Sequence, residues 1–129
     1  MLNPDSVGRT FVGSEKITIS QSDIDAFCAL IGESDGTSAP PTFPIRITLS
    51  QSQEILSAPE IGLDWTRLVH GDQKFDIKRP LRAGDVVTCS STIESYRIAA
   101  GNEIVLVRSD LSTESELVIS TWSTLVVRA

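Results

Sequence analysis

Apolar positions recur along the chain with two different periods, and the change of period divides it in two. Over residues 7–19, Ile17 and Ile19 alternate against Thr18 behind Gly13, which predicts two short β-pieces acting as a first strand. Ile24, Phe27, Cys28 and Ile31 then fall at i, i+3, i+4 and i+7, the stripe of an amphipathic helix. Ser22 with Asp25 three positions on predicts its capping box, and Gly32 its end. Residues 33–41, rich in Ser, Gly and Pro, form a loop. A second helix is expected over residues 43–57, with Thr42 able to cap it and Pro44 in a first turn where its missing N–H is not needed. Ile45, Leu49, Ser52 and Leu56 give that helix one face, Ile47 and Ile55 widen the apolar stripe, and Ala58-Pro59 stops it.

From Leu68 onward the period is two. Val69, Phe75 and Ile77 are expected on one face of a strand, with His70, Asp72, Lys74, Asp76 and Lys78 on the other. Arg79-Pro80 ends it, and Ala83-Gly84-Asp85 turns into a strand over residues 86–96. Turns at residues 99–102 and 113–116 lead into strands over residues 103–111 and 117–128. The order is a short strand, two helices and four antiparallel strands, an α+β domain spanning residues 1–129 whose sheet can wrap one long helix. The polar runs Cys89-Ser90-Ser91-Thr92 and Ser120-Thr121-Trp122-Ser123-Thr124 suggest a sheet with one face on the core and one in water. A sheet around one helix leaves an outer face and edges exposed, so an oligomer is expected.

Composition narrows the function classes. A chain of 129 residues has the size of one domain, and its net charge of −6 with a pI near 4.6 argues against a general nucleic-acid binder. Cys28 and Cys89 lack metal-ligand spacing and fall in apolar settings, which predicts buried reduced thiols. The first ten residues lack the basic flank and apolar core of a leader, and no apolar run approaches the roughly 20 residues of a membrane span. A soluble cytoplasmic protein is expected.

Four phrases carry a resemblance: Ala39-Pro40-Pro41-Thr42-Phe43-Pro44, Leu68-Val69-His70-Gly71-Asp72-Gln73-Lys74-Phe75, Arg79-Pro80-Leu81-Arg82-Ala83-Gly84-Asp85 and Ser123-Thr124-Leu125-Val126-Val127-Arg128. In order and spacing they resemble the N-terminal domain of MaoC-like dehydratases. The resemblance implies a hot-dog fold and hydration or dehydration of trans-2-enoyl and (3R)-hydroxyacyl thioesters of coenzyme A or acyl carrier protein. It implies no cofactor and no metal. Active members carry Gly-Asp-x-Asn-Pro-(aliphatic)-His after the first helix, whose Asp and His activate water while a helix N-terminus polarises the thioester. The corresponding stretch here is Gly32-Glu33-Ser34-Asp35-Gly36-Thr37-Ser38, with Glu33 in the Asp place and Ser38 in the His place. A serine without a base does not replace imidazole, so the dyad is lost. The chain resembles the non-catalytic subunit of mycobacterial-type heterodimeric dehydratases, and its loop is short for the family.

The remaining candidates are weighed against plainer readings. Glu33 is a base only if burial raises its pKa. His70 is read first as a structural or interface histidine, then as a pocket hydrogen-bonding group, and last as an acid/base, because no carboxylate at fixed spacing orients it. Thr42 and Phe43 open the second helix, where amides could face a thioester oxygen or simply start the helix. Lys74, Lys78, Arg79 and Arg82 could hold a phosphate of coenzyme A or of a carrier protein, or form a solvated face. Gly84 and Asp85 read as turn residues, and Trp65 and Trp122 as packing or interface groups. Three functions remain open: an accessory subunit beside a catalytic hot-dog partner, a homodimer that binds an acyl thioester without turnover, and an active hydratase using Glu33 or His70.

Overall fold

A computed structural model describes residues 1–13, 15–33 and 36–129. Two short strands, β1 (Thr10–Val12) and β2 (Ile17–Thr18), precede α1 (Gln21–Ile31) and α2 (Ile45–Leu56). Four long strands follow: β3 (Leu68–Ile77), β4 (Val86–Ala99), β5 (Asn102–Ser112) and β6 (Leu117–Val127). All pairings are antiparallel, in the order β1-β4-β5-β6-β3, and β2 also pairs with β4. This is the hot-dog arrangement, one sheet wrapped on α2. Its four long strands fall where the period-two pattern predicts them.

The cap of α1 lies two residues upstream of the expected box. Ser20 Oγ accepts from the Asp23 amide at 3.1 Å, a second Ser-x-x-Asp in the same frame, while Asp25 Oδ1 accepts from Gln21 Nε2 at 2.9 Å. Gly32, at φ 78°, ends the helix as predicted, its N–H donating to Cys28 O. Ile24 and Cys28 are buried, but Ile31 is 51% exposed. The stripe runs off the core before the last turn.

The start of α2 also differs from expectation. Thr42 does not cap it, Pro44 stands at the N-cap, and no side chain bonds there. Tight turns supply the hydrogen bonds instead, Ile45 N–H to Thr42 O and Ile47 N–H to Pro44 O. The buried row of α2 is Thr48, Ser52 and Leu56, with Ile45, Ile47, Leu49 and Ile55 half-buried on its flanks. The helix is rotated so that its small polar side chains meet β4 and β5.

The sheet answers with small polar residues of its own. Ser91, Ser109 and Thr121 stand opposite one another across β4, β5 and β6 and are at most 2% exposed. These positions, with Ser123, belong to the core face, and the alternation of buried and half-buried positions along β5 is that of a sheet with one face on the core and one turned outward. Small side chains let α2 approach, and internal hydrogen bonds satisfy most of the hydroxyls: Ser91 Oγ to Gln51 Oε1 at 2.8 Å, Ser91 to Ser109 at 2.9 Å, and Ser123 Oγ to Gln73 Oε1 at 2.6 Å. This seam separates two apolar clusters, one around Ile24, Phe43, Leu81 and Ile119, the other around Leu56, Ile61, Ile93 and Leu125.

A bulge in β3 overturns the expected division of its faces. Pairing with β6 runs Leu68↔Val127, Val69↔Val126, His70↔Leu125, then skips Gly71 and resumes at Asp72↔Thr124 and Gln73↔Ser123. Residues opposite each other share a face. His70 therefore lies on the same face as Gln73, Phe75 and Ile77, and Val69 lies on the other. The extra residue at Gly71 reverses the alternation.

Candidate functional site

The loop between the helices is fastened at both ends. Gly32 and Glu33 N–H both donate to Cys28 O, and the Ala39 amide donates to Leu81 O at 2.7 Å. In between, Gln21 Nε2 reaches from the first turn of α1 to Gly36 O at 2.7 Å. Ser34 and Asp35 of the dyad-like stretch lie outside the described residues. Beneath this loop is a cavity of about 270 Å³ whose walls include Glu33, Ser38, Pro44, Ile77, Leu81 and Ile119. The two dyad-position residues thus border one apolar cavity. Glu33 is exposed in the single chain.

A larger groove of about 480 Å³ lies against α2 on the β2–β4 side, floored by Ile17, Phe43, Ile47 and Cys89. Neither Glu33 nor Ser38 reaches it. Phe43 is 2% exposed and packs edge-on to Phe27, ring centroids 5.5 Å apart, with the Arg46 guanidinium 5.1 Å over its face. Thr42 is exposed. The amides of Phe43, Ile45 and Arg46 donate to Pro40, Thr42 and Phe43 carbonyls, so the turn consumes donors that an open helix start would offer.

His70 is exposed, its Nε2 3.0 Å from Asp72 O across the bulge, and it is not in the wall of the cavity. Three basic side chains nearby, Lys74, Lys78 and Arg79, are engaged within the chain. Lys74 Nζ sits 5.0 Å over the Trp122 ring, which Arg108 also approaches at 5.5 Å, and Lys78 pairs with Asp76 at 3.0 Å. Arg79 is clamped by two carboxylates, Asp85 and Glu116, each with a 2.8 Å contact. Those hydrogen bonds raise the Arg79 pKa further, and the guanidinium in turn holds the Asp85 carboxyl below its usual range. Asp85 is a turn residue, as expected, and also a counter-ion. Cys28 and Cys89 are buried thiols with no disulfide between them, and burial pushes the Cys89 thiol up to about 12.

The arrangement can therefore hold an apolar group below a carboxylate and a hydroxyl, with no imidazole among the walls. Ile77, Leu81 and Ile119 were not evident as site residues. The alternation of β3 after Gly71 points Ile77 inward, but the contribution of Ile119 depends on the pairing of β3 with β6.

A family model described as the FAS1-like dehydratase domain region matches residues 32–121. The chain belongs to this family of MaoC-like hot-dog proteins. A UPF0336 protein of Streptomyces griseus is 38% identical over 144 positions, covering 99% of this chain and 96% of its own. A UPF0336 protein of Streptomyces coelicolor is 35% identical with the same coverage. Because those alignments run over 144 positions and this chain has 129 residues, the relatives carry residues that it lacks. Among solved structures, the truncated HadBC complex of Mycobacterium tuberculosis, a 3R-hydroxyacyl-ACP dehydratase, superimposes with a TM-score of 0.86 at 20% identity, covering 97% of this chain and 99% of that one. HtdX of the same organism gives 0.81 at 19% identity, and 91% of this chain spans half of HtdX. At such identities the structural match is one of fold. Among the described residues, no helix is long and apolar enough to cross a membrane.

Proposed function

We propose that this chain is a non-catalytic subunit of an (R)-specific enoyl-thioester hydratase or 3-hydroxyacyl-thioester dehydratase, shaping the acyl channel beside a catalytic MaoC-like partner. One observation carries the reading. The loop after α1 brings Glu33 and Ser38 to an apolar cavity, while the chain's only histidine stands on β3 outside its walls. Adding water across an enoyl double bond needs a base for the water and an acid for the α-carbon, with pKa values near the operating pH. A serine hydroxyl and a carboxylate do not make up the carboxylate–imidazole pair that does this work in active members of the family. The cavity, near the lower end of volumes that take a small ligand (roughly 300 Å³), suits the apolar part of an acyl group. The thioester carrier, coenzyme A or acyl carrier protein, stays outside it.

The test is hydration of a short trans-2-enoyl-CoA by the purified chain alone and then with a catalytic hot-dog subunit. Activity appearing only in the mixture supports the proposal. Turnover by the lone chain, abolished in Glu33→Gln or His70→Ala, would replace it with an active hydratase. Saturable binding of the thioester by the lone chain, with no turnover in either sample, would instead favour a homodimeric binding protein.

A further inference from the structure

Two stripes run along α2, and the sheet takes only one of them. Thr48, Ser52 and Leu56 are buried on the sheet side. Ile47, Gln51 and Glu54 recur at the spacing of a second helical face, which continues back through the preceding turn to Phe43 and has Arg46 and Ser50 beside it. That face forms one wall of the groove of about 480 Å³, and Ile17, Thr18 and Ile19 line it as well. The floor is apolar: Ile19, Phe43 and Cys89 are each at most 3% exposed, and Ile17 and Ile47 are half-buried. Its volume falls within the range of pockets that take small molecules, roughly 300–1,000 Å³.

The charged rim differs between the two ends of this groove. At one end Arg46 is already committed, its guanidinium 3.7 Å from Asp23 Oδ1 and 5.1 Å over the Phe43 ring. At the other end Gln51 Nε2 and the Gly13 amide share Cys89 O as acceptor. That contact brings Glu54, one turn beyond Gln51, and Glu15, two residues beyond Gly13, to the same end, and both line the groove. Lys16 is drawn away by Glu114, at 3.2 Å, and neither Glu15 nor Glu54 stands in an ion pair among the described residues. The groove therefore has a neutral end, an apolar middle and a doubly negative end.

We propose that this groove binds a small amphiphilic cation, an ammonium or guanidinium on an apolar stem, with its head at Glu15 and Glu54 and its stem along Ile17 and Ile47 towards Phe43. Each alternative leaves one part unmatched. A neutral apolar molecule covers the floor but gives the two carboxylates no counter-charge. An anion meets those carboxylates or has to take Arg46 from Asp23. A cation without a stem leaves the floor in water. The groove shares no lining residue with the cavity beneath the dyad-position loop, so this site and the accessory-subunit reading fail separately.

The test is titration of the full chain with n-octylammonium, octan-1-ol and octanoate at low ionic strength, followed by amide chemical shifts. Octylammonium should give saturable shifts at Ile17, Ile47 and Gln51, and the two probes without a cationic head should bind at least about fivefold more weakly. Glu15→Gln and Glu54→Gln should each weaken octylammonium about two- to threefold, and together about five- to tenfold. Both side chains are exposed, so these changes leave the core intact. Added salt should weaken octylammonium and leave octan-1-ol little changed. Equal binding of octan-1-ol, tighter binding of octanoate, or indifference to the double change would overturn the proposal. So would octylammonium shifts centred on Ser38 and Ile77, or none that saturate. A lysine-bearing peptide that moves the same amides where octylammonium does not would replace the small cation with a protein partner.

Discussion

Arg79 holds Asp85 by two parallel hydrogen bonds, Nη1 to Oδ2 at 2.8 Å and Nη2 to Oδ1 at 3.1 Å, while its Nε donates to Glu116 Oε1 at 2.8 Å. The same Asp85 accepts from the Arg82 amide at 2.8 Å. One guanidinium thus ties the end of β3 to the start of β4 and to the β5–β6 turn. The pair is only 26% and 17% exposed, so it keeps more of its strength than a surface bridge.

Replacing Asp85 with Asn should cost about 2 kcal/mol at neutral pH, because Arg79 and the Arg82 amide lose a charged acceptor. The pH dependence follows from the carboxyl being held below the usual carboxylate range, chiefly by its hydrogen bonds from Arg79. Such a group contributes stability above its unfolded pKa and loses it as pH falls through the folded value. The gap between wild type and Asp85→Asn should therefore close on acidification below about pH 4. Denaturant unfolding across that range measures it.

Much of this architecture was legible, and the exceptions have local causes. The stripe Ile24–Cys28 and Gly32 placed α1, but Ser20 and Ser22 both head a Ser-x-x-Asp and pattern alone cannot rank them. The inner position of His70 turns on one unpaired glycine, whose effect shows only in the register with β6. That Ser91 and Thr121 take the core face of their runs was not legible, because burial of small hydroxyls depends on a helix that arrives from elsewhere. For the site, Glu33 and Ser38 were readable from their place in a motif. Arg79 was open to a phosphate-binding reading because one of its counter-ions, Glu116, lies 37 positions away.

Gly13 and Gln51 should be energetically coupled. Gln51 Nε2 and the Gly13 amide both donate to Cys89 O, at 2.6 and 2.8 Å, and a Cβ on Gly13 would stand 2.6 Å from that Nε2 and 3.1 Å from the carbonyl. Gly13→Ala should destabilise by about 1–3 kcal/mol, since the amide must leave its acceptor or the strand must move. In a Gln51→Ala background the clash is smaller, and the double-mutant cycle should show a coupling of about 1 kcal/mol. Additive effects would mean that the strand, not Gln51, takes the strain.

Cys89 should be chemically inert in the folded protein. It is 2% exposed, and burial pushes its thiol up to about 12, so thiolate is scarce at mildly alkaline pH. Alkylation by iodoacetamide should follow global unfolding, and its rate should rise with denaturant in step with the loss of structure. Because the folded pKa is raised, the fold loses stability as pH rises from about 9 towards 12. Cys89→Ala should reduce that alkaline loss.

Glu103 sits 6% exposed at the far end of the sheet, and one oxygen accepts two hydrogen bonds of 2.8 Å, from the Leu2 amide and from the Tyr96 hydroxyl. Leu2 is itself buried in the second apolar cluster, so this carboxylate anchors the N-terminal segment as well as bridging neighbouring strands. Glu103→Ala leaves one buried donor, the Leu2 amide, and one part-buried donor, the Tyr96 hydroxyl, without this acceptor, an expected loss of about 1–3 kcal/mol. It should also speed hydrogen exchange at the Leu2 amide and at Asn3, whose N–H donates to Ile61 O at 2.7 Å. Tyr96 provides a second readout. Burial pushes its hydroxyl up to about 12, and the hydrogen bond to Glu103 adds to that. In Glu103→Gln the amide oxygen can still accept but the repelling charge is gone, so the phenolate should form at lower pH while remaining above its ordinary value because the ring is still partly desolvated. Phenolate absorbance through an alkaline titration, taken with the exchange rate at Leu2, separates loss of the charge from loss of the anchor.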